Sequence, residues 1–324
     1  MEDLIFSLNA TIPVFLTMVL GYLFKQCGLM DDSFVKTLNK FNFQVTLPVM
    51  LFEDLAGADF ASVWDGRYVL FCFGVTLISI FAIWGLAALF LKDQDIVGEF
   101  TQGCYRSSAA VLGLAFIQNI YGTSVMAPLM IIGTVPLYNV MAVVILSFTG
   151  PGEHKLNKES LKKSLIGITK NPIIISIVLG IAASLLRTGF PSVAGAILQN
   201  AIVEKTIHNF AVIASPLALI GLGAGFEGKK AIKKIRPTII CTVTKLLILP
   251  AVFLPLAYAM GFEGEKMVAI LVMLGSATTP SCYIMAKNMG HEGTLTSSTV
   301  VATTFFSSVS LTWWLFLLKS LGAI

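Results

Sequence analysis

The sequence predicts an all-α membrane protein of about ten transmembrane helices, arranged as two five-helix repeats that cross the bilayer in opposite directions. Of its 324 residues, 56% are hydrophobic and 12% are charged, about half the charged share of a soluble domain. The apolar residues form long runs, and short motifs recur in the same order in both halves. We therefore expect helices in a bilayer, with short loops and no separate soluble domain.

Ten apolar runs have the length that a membrane-spanning helix requires, about 20 residues for a typical bilayer. Their predicted bounds are 7–25, 37–56, 67–91, 100–120, 124–149, 171–188, 198–226, 237–260, 265–288 and 295–319. The fourth, fifth, ninth and tenth runs are rich in Gly, Ser, Thr, Asn and Pro. Such residues indicate close helix packing, and they also mark positions where a helix breaks beside a cavity.

The Lys and Arg residues predict the orientation. Two basic loops, at 151–170 and 227–236, hold nearly half of the 22 positive residues. Positive residues are retained on the cytoplasmic side of a membrane. With the N-terminus outside, most of the others also fall inside, among them Arg106, which this count treats as a loop residue. We therefore expect a multi-pass protein of the cell (inner) membrane with both termini outside.

Composition and motifs exclude several other classes of protein. The net charge of +4 comes with no basic and aromatic surface, so no nucleic-acid partner is expected. The five cysteines lack C-x-x-C spacing, so neither a disulfide framework nor a metal site is predicted. No P-loop motif and no catalytic set of Asp, His or Ser occurs inside a run, so we expect no enzyme and no cofactor. Glu53 and Asp54 end the second run and are expected to form a solvated cap.

An internal repeat relates the two halves. The first run contains Pro13 followed by Val-Leu-Gly at Gly21, and the sixth contains Pro172 followed by Val-Leu-Gly at Gly180, with the same spacing. Because five is odd, the second copy must enter the membrane from the opposite side. The predicted divisions are a first repeat at 1–150, a basic cytoplasmic linker at 151–170 and a second repeat at 171–324. Inverted repeats are typical of secondary transporters, whose substrate site lies at the repeat interface.

Five segments resemble those of the auxin efflux carrier family, which includes bacterial malate and other organic-acid permeases. They are "ATIPVFLTMVLGYLFKQCGLMDDSFVKTLNKFNFQVTLPVMLF", "SPLALIGLGAGF", "TKLLILP", "SATTPSCYIMAKNMG" and "SSTVVATTFFSSVSLTWW". The resemblance covers essentially the whole chain. It implies a fold like that of sodium/proton antiporters and bile-acid symporters, with a scaffold of helices 1, 2, 6 and 7 and a transport domain of helices 3–5 and 8–10. Helices 4 and 9 would be broken and cross, and their ends would hold a carboxylate or an ion.

Helix 4 departs from the pattern R-x-N-x-x-F-x-G-x-P that the family usually has. In "RSSAAVLGLAF", Arg106 and Gly113 match, but Ser108 stands at the Asn position and Ala115 at the Pro position. A break in helix 4 must then depend on Gly113 and on packing, since no proline forces it. Helix 9 keeps Pro280.

Eight residues are the predicted substrate contacts, on the basis of their polarity or of their place at the two breaks. They are Ser107, Ser108, Gly113, Asn139, Thr278, Thr279, Pro280 and Ser281. Each also has a structural interpretation: a simple proline kink, hydroxyls bonded to the preceding turn, or packing between helices. Lys245 lies well inside the eighth run, where it would balance substrate charge, compete with a coupling proton, or extend toward the surface.

The function predicted from these features is secondary transport of a small organic anion, a carboxylate such as malate, by alternating access. A proton or sodium gradient, or the membrane potential, would drive it. The alternatives that remain open are an ion or anion channel and a membrane sensor without transport. A homodimer is possible.

Overall fold

The structure is a computed structural model that describes residues 2–57, 65–109, 117, 120, 121, 126–150, 166–189 and 200–324. Every regular element in these residues is helical, and they contain no strand. Five helices within the described ranges are long and apolar enough to cross a membrane, at Gly66–Phe90, Pro128–Phe148, Ala201–Ala224, Ile235–Ala259 and Thr294–Ser320. The prediction of an all-α polytopic membrane protein is confirmed at this level.

The first half of the chain contains six described helices. They are α1 Glu2–Gln26, α2 Asp32–Phe41, α3 Leu47–Ala56, α4 Gly66–Phe90, α5 Val97–Tyr105 and α6 Met126–Phe148. Helices α2 and α3 are continuous through a π-helical turn at Asn42–Thr46. The carboxylate of Asp65 accepts a hydrogen bond from the Tyr68 N–H and so caps the start of α4.

The second half contains nine described helices. They are α7 Pro172–Gly189, α8 Ala201–Ala211, α9 Ala214–Ala224, α10 Gly228–Lys233, α11 Ile235–Val243, α12 Leu249–Ala259, α13 Glu265–Gly275, α14 Ser281–Asn288 and α15 Thr294–Ser320. A π-helical turn at Thr244–Ile248 joins α11 to α12 just before Pro250. Proline offers no N–H to the carbonyl four residues earlier, and the Trp314 indole N–H donates to that Leu246 carbonyl instead, at 3.0 Å.

Buried apolar side chains form two clusters. One is built mainly from α4, α5, α6, α12, α13 and α15, and the other mainly from α1, α3, α7, α9 and α14, with part of α6. Within the second cluster α1 and α9 approach very closely: a Cβ on Gly223 would lie 1.9 Å from the Met18 carbonyl oxygen. Only glycine permits this distance, and small residues at such contacts are typical of helices that pack in lipid.

Two helices are interrupted in the interior of the molecule. Helix α5 ends at Tyr105 and is followed by non-helical residues 106–108, while α13 ends at Gly275 and α14 begins at Ser281. The two interruptions are bonded to each other, because the Ser108 N–H donates to the Ala277 carbonyl at 2.9 Å. Two further hydrogen bonds join the flanking helices, from Thr278 Oγ1 to the Gly103 carbonyl at 2.8 Å and from Gln102 Nε2 to the Cys282 carbonyl at 3.0 Å.

The first interruption corrects two expectations. Helix α5 ends at Tyr105, well before Gly113, which lies outside the described residues, and the packing expected to support the break includes the hydrogen bond from the Ser108 N–H to the Ala277 carbonyl. Arg106 is not a surface loop residue, because only 2% of it is exposed. Residues 151–165 of the predicted basic linker also lie outside the described part of the chain.

Candidate functional site

A cavity of about 100 Å³ lies where the two interruptions meet the helices of the second apolar cluster. One side, the apolar wall, comes from α1, α3, α7 and α9 and is formed mainly by Val14, Leu47, Met50, Leu51, Ile173 and Leu219. The other side, the polar wall, comes from the two interruptions, α6 and α14. Its polar members are Arg106, Ser107, Ser108, Tyr138, Asn139, Thr279 and Ser281. The polar groups therefore meet at one face of a largely apolar chamber.

The guanidinium of Arg106 is the most strongly charged group of the polar wall. Its Nη2 donates to Asn139 Oδ1 at 2.7 Å and to Ser281 Oγ at 2.9 Å, and its Nη1 lies 2.8 Å from the Met285 sulfur. Its Nε–H is buried without a hydrogen-bond partner. Among the described residues no carboxylate lies within 4 Å of this guanidinium.

These contacts orient the Arg106 charge without neutralising it. An amide oxygen, a hydroxyl and a thioether satisfy some N–H groups but carry no negative charge. Arginine forms its strongest hydrogen bonds with carboxylate and phosphate groups, in a planar, two-pronged geometry. Helix α14 also begins at Ser281, so its positive end lies at the same wall. The polar wall is therefore suited to bind an anion.

A second charged residue, Asp54, lines the cavity from the apolar wall. The sequence suggested that Glu53 and Asp54 together form a solvated cap. Only Glu53 fits that description, since its Oε1 lies 3.0 Å from Nδ1 of the exposed His208. Asp54 is half-buried in the last turn of α3 and faces the interior.

The structure brings most of the predicted contact residues to the cavity. Six of them line it: Ser107, Ser108, Asn139, Thr279, Pro280 and Ser281. Thr278 is buried and does not line it, because its hydroxyl donates to the Gly103 carbonyl and its N–H to Thr303 Oγ1. Gly113 lies outside the described residues.

Lys245 also lies away from the cavity, directly behind the two interruptions. It is fully buried in the π-helical turn, and its Nζ donates to the carbonyls of Tyr105 at 3.3 Å and Met273 at 3.2 Å. These carbonyls belong to the C-terminal ends of α5 and α13, each of which carries about −0.5 elementary charge. The ammonium thus offsets two helix ends, and the interpretation that it extends to the surface is wrong.

The sequence reasoning did not select Arg106 or Asp54 as site residues. The signal for Arg106 was its place beside Ser107 and Ser108 and its match to the family pattern, but the charge count treated it as a loop residue. Tyr138 is a further residue of the polar wall that the sequence did not single out. Its hydroxyl bridges the site, accepting from Ser107 Oγ at 3.3 Å and donating to the Met273 carbonyl at 3.2 Å.

Comparison with known proteins gives this arrangement a context. A family model described as "Membrane transport protein" matches residues 6–315. The chain belongs to this family. It is also 22% identical over 317 residues to an "Uncharacterized transporter" of Methanothermobacter thermautotrophicus, an alignment that covers 95% of this chain and 97% of the relative.

Membership of the membrane transport protein family confirms the resemblance to auxin efflux carriers that the sequence motifs indicated. It supports a membrane transporter and a multi-pass membrane location. In a transporter, a small interior cavity with one buried, incompletely partnered cation is a candidate substrate site.

Proposed function

We propose that the protein is a secondary active transporter of a small organic anion, a carboxylate such as malate. The observation that carries this proposal is the Arg106 guanidinium, which faces the cavity with neutral partners and an unpaired Nε–H. An isolated buried charge is costly unless it is paired. A substrate carboxylate would supply the missing negative charge.

The size and shape of the cavity favour a small substrate. The cavity volume is about 100 Å³. It would hold a carboxylate against Arg106 and a short chain against the apolar wall. The hydroxyls of Ser107, Thr279 and Ser281 add hydrogen-bonding groups at the polar wall. Asp54 on the opposite side would favour substrates that present a donor there.

Alternating access would come from movement of the polar wall relative to the apolar wall. The apolar wall is built from the helices expected as scaffold, and the polar wall from those expected as transport domain. This division supports the inverted arrangement of two five-helix repeats, 1–150 and 171–324, with helices 4 and 9 crossing. We extend the proposal to an inner-membrane protein with both termini outside, because most of its positive residues would then face the cytoplasm.

Lys245 would supply the cation that the two interrupted helices require. A metal ion at the ends of α5 and α13 would meet the same two carbonyls that Lys245 already occupies. Transport would therefore need no sodium ion at this position, and a proton gradient or the membrane potential would drive it.

Uptake into liposomes that contain the purified protein tests the proposed function. We expect saturable uptake of at least one labelled mono- or dicarboxylate, competed by the unlabelled acid and equal in sodium and choline buffers. Liposomes without protein are the control. A lack of saturable uptake for every mono- and dicarboxylate in the panel would contradict the proposal, and a single-channel current in planar bilayers would favour a channel.

A further inference from the structure

A second concave surface, which we call the lipid groove, lies on the outside of the molecule between the α11–α12 segment and α15. Its volume is about 560 Å³, and its walls are almost entirely apolar. Its exposed members include Ile235, Ile239, Val243, Phe306, Val309 and Trp313. It is separate from the cavity at Arg106, with which it shares no lining residue.

The length of the lipid groove matches one leaflet of a bilayer. From Ile235 to Leu247 the groove extends roughly 18 Å at 1.5 Å per helical residue, and half of the hydrocarbon core is about 15 Å thick. The α11–α12 segment and α15, which enclose the lipid groove, run side by side in the same direction. At one end Lys230 Nζ lies 3.9 Å from Glu292 Oε1, and at the other the Trp314 indole N–H donates to the Leu246 carbonyl.

The end of the lipid groove near Lys230 carries an excess of positive charge. Lys229, Lys233 and Arg236, which we call the basic rim, are exposed. Within the described ranges none of the three has a carboxylate within 4 Å, whereas neighbouring Lys230 contacts Glu227 and Glu292, and Lys234 contacts Asp93. Lys229 and Lys233 are four residues apart on α10, so they share one face of that helix. Arg236 directly follows Ile235, the first residue of the groove.

We propose that the lipid groove and the basic rim together bind one anionic glycerophospholipid. An acyl chain fills the groove, and the phosphate and headgroup contact Lys229, Lys233 and Arg236. A zwitterionic lipid would fill the groove equally well but would leave the charge of the rim unbalanced. Basic pockets between transmembrane helices recognise acidic headgroups through this combination of contacts. The proposal stands independently of transport, because it uses none of the cavity residues.

Quenching of Trp313 fluorescence by brominated lipids tests the proposal, because Trp313 lines the deep part of the groove. The intact protein is placed in phosphatidylcholine vesicles that contain a variable fraction of either dibrominated phosphatidylglycerol or dibrominated phosphatidylcholine. Emission of a Trp313→Phe variant is subtracted to isolate this side chain. We expect half-maximal quenching at about tenfold lower mole fraction of phosphatidylglycerol than of phosphatidylcholine.

Charge variants then locate the headgroup. In the triple variant Lys229→Gln, Lys233→Gln and Arg236→Gln, both brominated lipids should quench Trp313 equally. A matched triple variant, Lys36→Gln, Lys40→Gln and Lys92→Gln, loses the same charge from exposed positions elsewhere and should keep the preference. Equal quenching of the wild type by the two lipids, or a preference that survives in the rim variant, would overturn the proposal. High salt should also reduce the preference for phosphatidylglycerol in the wild type. This test does not depend on whether any variant folds.

Discussion

Arg106 and Lys245 are both buried cations near the two helix interruptions, yet their surroundings differ. The guanidinium of Arg106 faces a cavity and contacts side chains that can rearrange, with one N–H left unpaired. The ammonium of Lys245 faces away from the cavity and donates to the carbonyls of Tyr105 and Met273, which are fixed at helix ends.

This difference suggests a division of labour between the two charges. Two helix C-termini offer together about one negative charge, which matches a single ammonium. Lys245 is thus neutralised by the fold itself. Arg106 has no equivalent negative partner among the described residues, so its charge is available to a ligand. Lys245 would maintain the contact between the two interruptions, and Arg106 would bind the substrate.

Replacing Arg106 by Gln should have the largest effect on binding. Loss of one member of a buried charge pair costs about 2–5 kcal/mol in comparable interfaces, so the dissociation constant of the carboxylate should rise by about 30-fold or more. Isothermal titration of the purified variant measures this change. Arg187→Gln, which removes the same charge at the end of α7, is the control and should bind normally. Unchanged affinity in Arg106→Gln would remove Arg106 from the site.

Replacing Lys245 by Ala should affect thermal stability and the rate of uptake more than the affinity for the substrate. The Tyr105 and Met273 carbonyls would lose their cation, so we expect lower thermal stability and about tenfold slower uptake, since an unsatisfied buried group costs 1–3 kcal/mol. Sodium should bind the vacated carbonyls and partly restore both properties, while choline should not. Sodium-dependent uptake by the wild type would contradict the assigned role of Lys245.

Asn139→Ala should have an intermediate effect, because Asn139 orients Arg106 without carrying charge. Its Oδ1 accepts the shortest hydrogen bond of the guanidinium, and its Nδ2 donates to the Val135 carbonyl at 2.9 Å. Loss of one charge-assisted hydrogen bond corresponds to about tenfold weaker carboxylate binding. Titration of this variant beside Arg106→Gln and the double variant should give non-additive losses, since both residues act through one guanidinium. Strictly additive losses would show that Asn139 acts independently.

The sequence predicted the longest helices well because each depends on a long local run of apolar residues. Helices α4 and α15 lie almost exactly where the third and tenth runs were drawn. The resemblance implied a break in helix 4, but the sequence could not place it, because no proline marks the end of α5 and the hydrogen bond from Ser108 to Ala277 joins residues far apart in the chain. Without that interruption, Arg106 counts as one more basic loop residue. The partners of Lys245 were hidden for the same reason, since they are backbone carbonyls of distant helix ends.

Variants of the adjacent residues Thr278 and Thr279 should have the smallest effects, but they separate stability from substrate binding most clearly. Thr278 bonds to the Gly103 carbonyl away from the cavity, whereas Thr279 lines the cavity with its hydroxyl 3.2 Å from Ser281 Oγ. Thr278→Val should therefore lower the melting temperature by about 2 °C, corresponding to one lost hydrogen bond, and leave affinity within about twofold. Thr279→Val should do the reverse, weakening carboxylate binding by a few fold with unchanged stability. If both variants behave alike, the cavity and the contact between the interruptions are one energetic unit, and the separate roles assigned to the two buried cations would not hold.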